Sequence, residues 1–360
     1  MQRRDFLKLG LGSLLIGPAS VLADPHPPGL LSCYSNDRDE HFLGLLDAQG
    51  QLLQSLRLPA RGHGIAIDPA RQTAAVFARR PGNFVWLIDL PSFTLRHKIA
   101  AAPGRHFYGH GVFSPDGQTL LCSENAFDAG DGVIGIYAKA KRWARSGELA
   151  SHGIGPHQIG LLGDGNTLVV ANGGILTHPD MPRIKRNLDS MQPNLAYIDR
   201  RDGRLLRRFE PPARWHQLSI RHIDIAPDDS VAVAMQYQGS PLQQPPLIAL
   251  QRGEQPLQFL QAPAEIQPRL RNYCGSVRFS RDGSTLAVSS PRGGLVTLWR
   301  ADGAFLGSHQ QADVCGIASD ANRFVFSDGG GRLQALGASG QTALLSENPG
   351  LHWDNHQLEI

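Results

Sequence analysis

The chain has 360 residues with 40 Gly and 25 Pro, but only 7% aromatic and 19% charged residues. Such a composition fits many short strands joined by tight turns and argues against a helical or a disordered protein. The net charge is only +3, and with no Lys/Arg run or basic stripe beyond the first residues, the balance also argues against nucleic acid as a partner.

Residues 1–23 read as an address. Arg3-Arg4-Asp5-Phe6-Leu7-Lys8 has the twin-arginine form, residues 9–22 are apolar and Gly-rich, and Val21-Leu22-Ala23 offers a small-residue cleavage site. The apolar run is too short to span a bilayer, which needs about 20 residues. No Cys follows the cleavage site to carry a lipid. The expectation is export by the twin-arginine route and a soluble, monomeric periplasmic protein without a membrane anchor, residues 24–360, forming one domain.

Residues 24–30 are a Pro-rich lead-in, followed by three short apolar segments at 31–36, 41–46 and 52–58, separated by polar turns. The C-terminal segment 351–360 reads as a lone strand and is expected to pair with these three. Between the ends a repeat recurs. An inner strand (65–67, 112–114, 159–162, 223–226, 277–280, 317–319) runs into a turn resembling Pro-Asp-Gly. A second strand follows (73–78, 119–123, 167–171, 231–236, 285–289, 323–327), and then a third such as 84–89, 133–137, 195–199 or 295–299. Four strands per unit at this period predict an all-β fold, a β-propeller of four-stranded blades.

One residue marks the entry of each inner strand: His63, His110, His157, His222, Cys274, Cys315 and His356. Their spacings are 47, 47, 65, 52, 41 and 41 residues. Six intervals plus a closing blade shared between the termini predict seven blades. The longest interval owes its surplus to residues 172–194, which follow a second strand and therefore overhang the same face as the markers.

Imidazole and thiolate suit Fe, Cu or Zn, so the seven markers form a candidate transition-metal ring at the top of the central channel. A single ion takes about four ligands, so either a subset binds or several ions do. The competing readings are hydrogen-bonded structural histidines, with Cys274 and Cys315 as buried small hydrophobes or a disulfide. The distance from marker to turn also varies from repeat to repeat. Because side chains alternate along a strand, this scatter misdirects some markers unless bulges or glycines compensate.

The insert supplies a second candidate site: Asn172, His178, Asp180, Arg183, Lys185 and Asn187 crowd polar groups onto a long loop held by a rigid scaffold. Arg183 and Lys185 can meet an anionic ligand, and His178 and Asp180 can add metal ligands or proton-transfer groups. A loop stabilised by its own hydrogen bonds is the alternative. Arg221, Tyr237, Glu124, Asn125 and Arg292 are expected on the same face. Cys33 and Cys122 fall in second strands and are expected in the core.

The motifs Phe107-Tyr108-Gly109-His110-Gly111, Gly155-Pro156-His157, Ala171-Asn172-Gly173-Gly174-Ile175, Ser219-Ile220-Arg221-His222 and Trp353-Asp354-Asn355-His356 resemble those of the bacterial domain-of-unknown-function family 1513. The resemblance implies an exported WD40-like propeller and a link with periplasmic iron-uptake proteins of the imelysin type. It implies no particular reaction. Three functions follow as expectations: a metal- or ligand-binding periplasmic protein accessory to iron acquisition, a propeller hydrolase of lactonase type, or a metal-free scaffold for docking proteins.

Overall fold

The structure is a computed structural model describing residues 29–181, 184–320, 323–337 and 340–360. The expected leader, residues 1–23, and Arg183 of the insert lie outside the described residues.

Among the described residues, seven four-stranded antiparallel sheets form a ring, a seven-bladed β-propeller. The closing blade is the expected composite. Leu351–Glu359 lies innermost and pairs with Gly29–Asn36, which continues outward to His41–Asp47 and Leu52–Leu58. The other six blades follow in chain order. Their inner strands are Gly62–Ile67, Arg105–Phe113, Pro156–Leu161, Leu218–Ile225, Ser276–Phe279 and Val314–Ser319.

Residue pattern fixes the depth of each strand. Second strands such as Thr73–Ala78 and Thr167–Asn172 are buried throughout because neighbouring blades cover both faces, and they are correspondingly apolar or small. Outer strands such as Ala144–Ala150 alternate between exposed and half-buried residues, as a sheet edge covered on one face requires. The core lies between blades. Cys122 packs there with Phe77, Phe107 and Tyr137, and Cys33 packs with Leu43, Val76 and Ile88.

The inner strands carry the irregularity that the marker spacing demanded. The ladder slips between Gly62 and Ile65, Phe107 and Gly111, Pro156 and Ile159, and Ile220 and His222. It slips again opposite Ser32 and Tyr34, where the C-terminal strand carries His356. Each bulge adds residues to the inner strand and re-aims the side chain it contains. All five histidine markers sit in or beside one. Ser276–Phe279 pairs with its neighbour without a slip, and Cys274 precedes that strand.

Candidate functional site

The bulges converge the rings of His63, His110, His157, His222 and His356 in the central channel. His63 and His356 are 4.6 Å apart between ring centroids, His110 and His356 4.7 Å, and His157 and His222 4.8 Å. Two sets of three, His63/His110/His356 and His110/His157/His222, each place their ligand nitrogens within 4.8 Å of one another. Ligands of a tetrahedral ion bound at 2.0–2.1 Å stand ~3.3 Å apart, so small side-chain rotations would close either set. His110 belongs to both. Close approach also constrains the backbone: a Cβ on Gly109, whose φ is +106°, would lie 2.7 Å from the His63 ring.

Two of the five rings are oriented by neighbours. Nδ1 of His63 donates to Asp354 Oδ1 at 3.2 Å. Asp354 also accepts from Arg61 Nε at 2.5 Å and from the Asn355 amide at 2.7 Å. Burial alone would raise the Asp354 carboxyl, but the His63 hydrogen bond and the charges of Arg61 and Arg79 hold it well below the usual carboxylate range. It stays ionised and fixes the His63 tautomer. Nδ1 of His222 faces Gln158 Oε1 at 3.2 Å, while Gln158 Nε2 donates to the Ile223 carbonyl at 2.8 Å. In both histidines Nε2 is the nitrogen left free, the arrangement by which outer partners orient metal-ligating imidazoles.

The other three rings carry buried nitrogens without a hydrogen-bond partner: His110 Nε2, His157 Nδ1 and His356 Nε2. Burial, reinforced by neighbouring imidazoles, drives the pKa of His110, His157, His222 and His356 well below the ordinary imidazole range. Burial lowers that of His63 too, against the pull of Asp354. Neutral imidazole is the form that binds a metal.

The cysteine markers do not join these sets. Cys274 packs in the inter-blade core beside Met235 and Val277, where burial pushes its thiol up to about 12. Cys315 Sγ contacts the Asp313 carbonyl at 3.1 Å, and burial raises its thiol too. All four cysteines are free.

The insert divides into scaffold and rim. Asn172 is fully buried and ties the loop's base through Ser151 and Asn194. Asn187 spans it, accepting from the Leu176 amide and donating to the Gly174 carbonyl. His178 rests on Phe127 and faces Asp180 at 3.5 Å, but the Asp180 side chain is 85% exposed and neither residue joins the sets formed by the channel histidines. Lys185 donates to Gln238, and Tyr237 donates to Gln243. Arg221 is buried at the channel mouth beside His157 and His222. Glu124 turns into its own blade, bonded by Tyr137 and Arg145, and Asn125 holds the insert through the Thr177 carbonyl. Arg292 lies over the Tyr273 ring.

Residues 56–360 match a protein family of unknown function, DUF1513. The chain belongs to this family. No curated protein matches it. Among solved structures, hydrazine synthase of Kuenenia stuttgartiensis superposes with a TM-score of 0.61 at 15% identity, covering 86% of this chain and 93% of that one. Likeness at that identity is one of fold, and it accords with the ring of blades.

Sequence reasoning missed the residues that orient this DUF1513 member's histidines: Asp354, Gln158 and Arg61. Asp354 and Gln158 stand two and one residues from a marker, so a signal existed in their nearness. Which neighbour turns toward the ring is set by the bulge, and no residue pattern announces it.

Proposed function

We propose that the channel histidines bind a first-row transition metal and that the chain is a periplasmic metal-handling protein. The observation that carries this reading is the set of three buried, partnerless imidazole nitrogens on His110, His157 and His356, beside His63 and His222 with their far nitrogens already anchored. A buried polar atom left unsatisfied costs about 1–3 kcal/mol, and one ion would satisfy several of them together. An all-imidazole donor set suits copper, zinc or iron, and the intrinsic affinity order places copper and zinc ahead of ferrous iron. Iron at this site would favour a role beside iron-uptake proteins of the imelysin type. Copper or zinc there would favour handling of another metal.

The test is elemental analysis of protein exported through the twin-arginine route, compared with a variant carrying His110→Ala and His157→Ala. About one ion per chain is expected in the parent, with less than a tenth of that in the variant, since these substitutions remove two of three ligands from one set and one from the other. A metal-free parent, or equal metal in both proteins, sinks the proposal.

A further inference from the structure

On the side of the histidines from which the inner strands enter, a cavity of about 460 Å³ opens above His63, His157 and His222. Its wall includes Arg79, Arg80 and Arg221, with the phenols of Tyr108 and Tyr273, and among the described residues no carboxylate. Arg221 is only 7% exposed, and its Nε has no hydrogen-bond partner. Among the described residues no ion pair reaches Arg79, Arg80 or Arg221, whereas Arg61 pairs with Asp354. Burial and the charge of Arg80 hold the Arg221 guanidinium down to about 10, and burial followed by Arg221, Arg292 and Arg80 depresses Lys185 on the insert. Three arginines thus line one partly enclosed space, with Lys185 near enough for Arg221 and Arg80 to act on it. The cavity on the opposite face is different, mixing Asp68, Asp224 and Glu359 with Arg71 and Arg278.

A buried guanidinium without a counter-charge loses hydration and gains nothing in return. Among the described residues nothing compensates Arg221, so we take the missing partner to be external and negative. Guanidinium forks match two oxygens of a carboxylate or phosphate at once. We propose that this cavity is a binding site for a small, multiply charged oxyanion, gripped by Arg80 and Arg221 with Arg79 and Lys185 adding charge at the rim. The site does not depend on metal in the channel.

Calorimetric titration of full-length, chelator-treated protein with citrate, inorganic phosphate and acetate tests it. Saturable binding of citrate or phosphate is expected, with acetate at least tenfold weaker. The stronger of the first two tells a polycarboxylate from a phosphate ligand. Arg80→Gln and Arg221→Gln should each weaken that binding at least tenfold, and Arg57→Gln, on the exposed outer strand of the closing blade, should leave it unchanged. Without oxyanion, Arg221→Gln should melt at or above the parent, because an unpaired buried charge has been removed, and added oxyanion should raise the midpoint of the parent alone. A variant carrying His110→Ala and His356→Ala, neither of which lines this cavity, should keep oxyanion binding whatever becomes of its metal. Failure of both oxyanions to bind, acetate binding equally well, or unchanged affinity in the arginine variants overturns the proposal.

Discussion

Asp354 shows how much one side chain decides. Its two oxygens take up Arg61, the Asn355 amide and His63, so a fully charged group sits 2% exposed beside the channel without an unpaired oxygen. The carboxylate makes the His63 ring a better donor at its free nitrogen and prevents it from turning. Asp354→Asn keeps the shape and removes the charge. Loss of such outer-shell partners weakens metal binding ~10–100-fold, and that range is expected here in a chelator competition assay. Affinity equal to the parent would show that Asp354 serves folding alone.

At the level of elements, closure of the ring rests on Leu351–Glu359. Trp353 on that strand is buried at 2% exposure and meets the Tyr34 ring edge-on at 5.3 Å, next to Leu46 and Leu333. It therefore joins the first described strand to the last blade. Trp353→Ala leaves a cavity in that seam and should cost about 3–5 kcal/mol, read as a lower midpoint in denaturant unfolding with an unchanged slope. A loss below about 1 kcal/mol would mean that the backbone ladder, not this packing, holds the ring shut. The same strand brings His356 and Asp354 to the channel, so closure and site assembly are one event. Blade number and strand order were legible because burial on two faces or one forces distinct residue patterns, as Thr73–Ala78 and Ala144–Ala150 illustrate. The insert was less legible. Asn172 and Asn187 look like ligand residues in a list, and only their partners reveal that they brace the loop.

For the whole molecule, the cluster of neutral imidazoles couples folding to pH. His110, His157, His222 and His356 are held well below the imidazole range by burial first and by one another's charge second, while in the unfolded chain each titrates at its ordinary value near ~6.5. Above that value neither state is protonated at these groups and stability is flat. Below it the unfolded chain binds protons that the folded chain refuses, so stability falls on acidification, each such group adding ~1.4 kcal/mol per pH unit until its folded pKa is reached. Metal-stripped protein should therefore lose midpoint steeply between about pH 6.5 and 5, and the variant carrying His110→Ala and His157→Ala should lose it less steeply. A parallel decline in both would place the acid sensitivity elsewhere in the molecule.

The sequence by itself determined the repeat, the seven blades, the shared closing blade and the histidine at the entry of five inner strands, because strand pairing and burial leave periodic marks along a chain. Tertiary structure alone decided which markers meet. Cys274 and Cys315 stand in the same sequence positions as His63 and His110, yet one lies in the inter-blade core and the other is turned to a backbone carbonyl. Slips of the same form hold His63 and Cys315, yet among the described residues it is imidazoles that come within ligand distance of one another, and Asp354 and Gln158 lock two of them. The unpaired Arg221 came to light in the same way. A residue's lack of a partner is a property of everything around it in space, and a linear chain records only its neighbours in order.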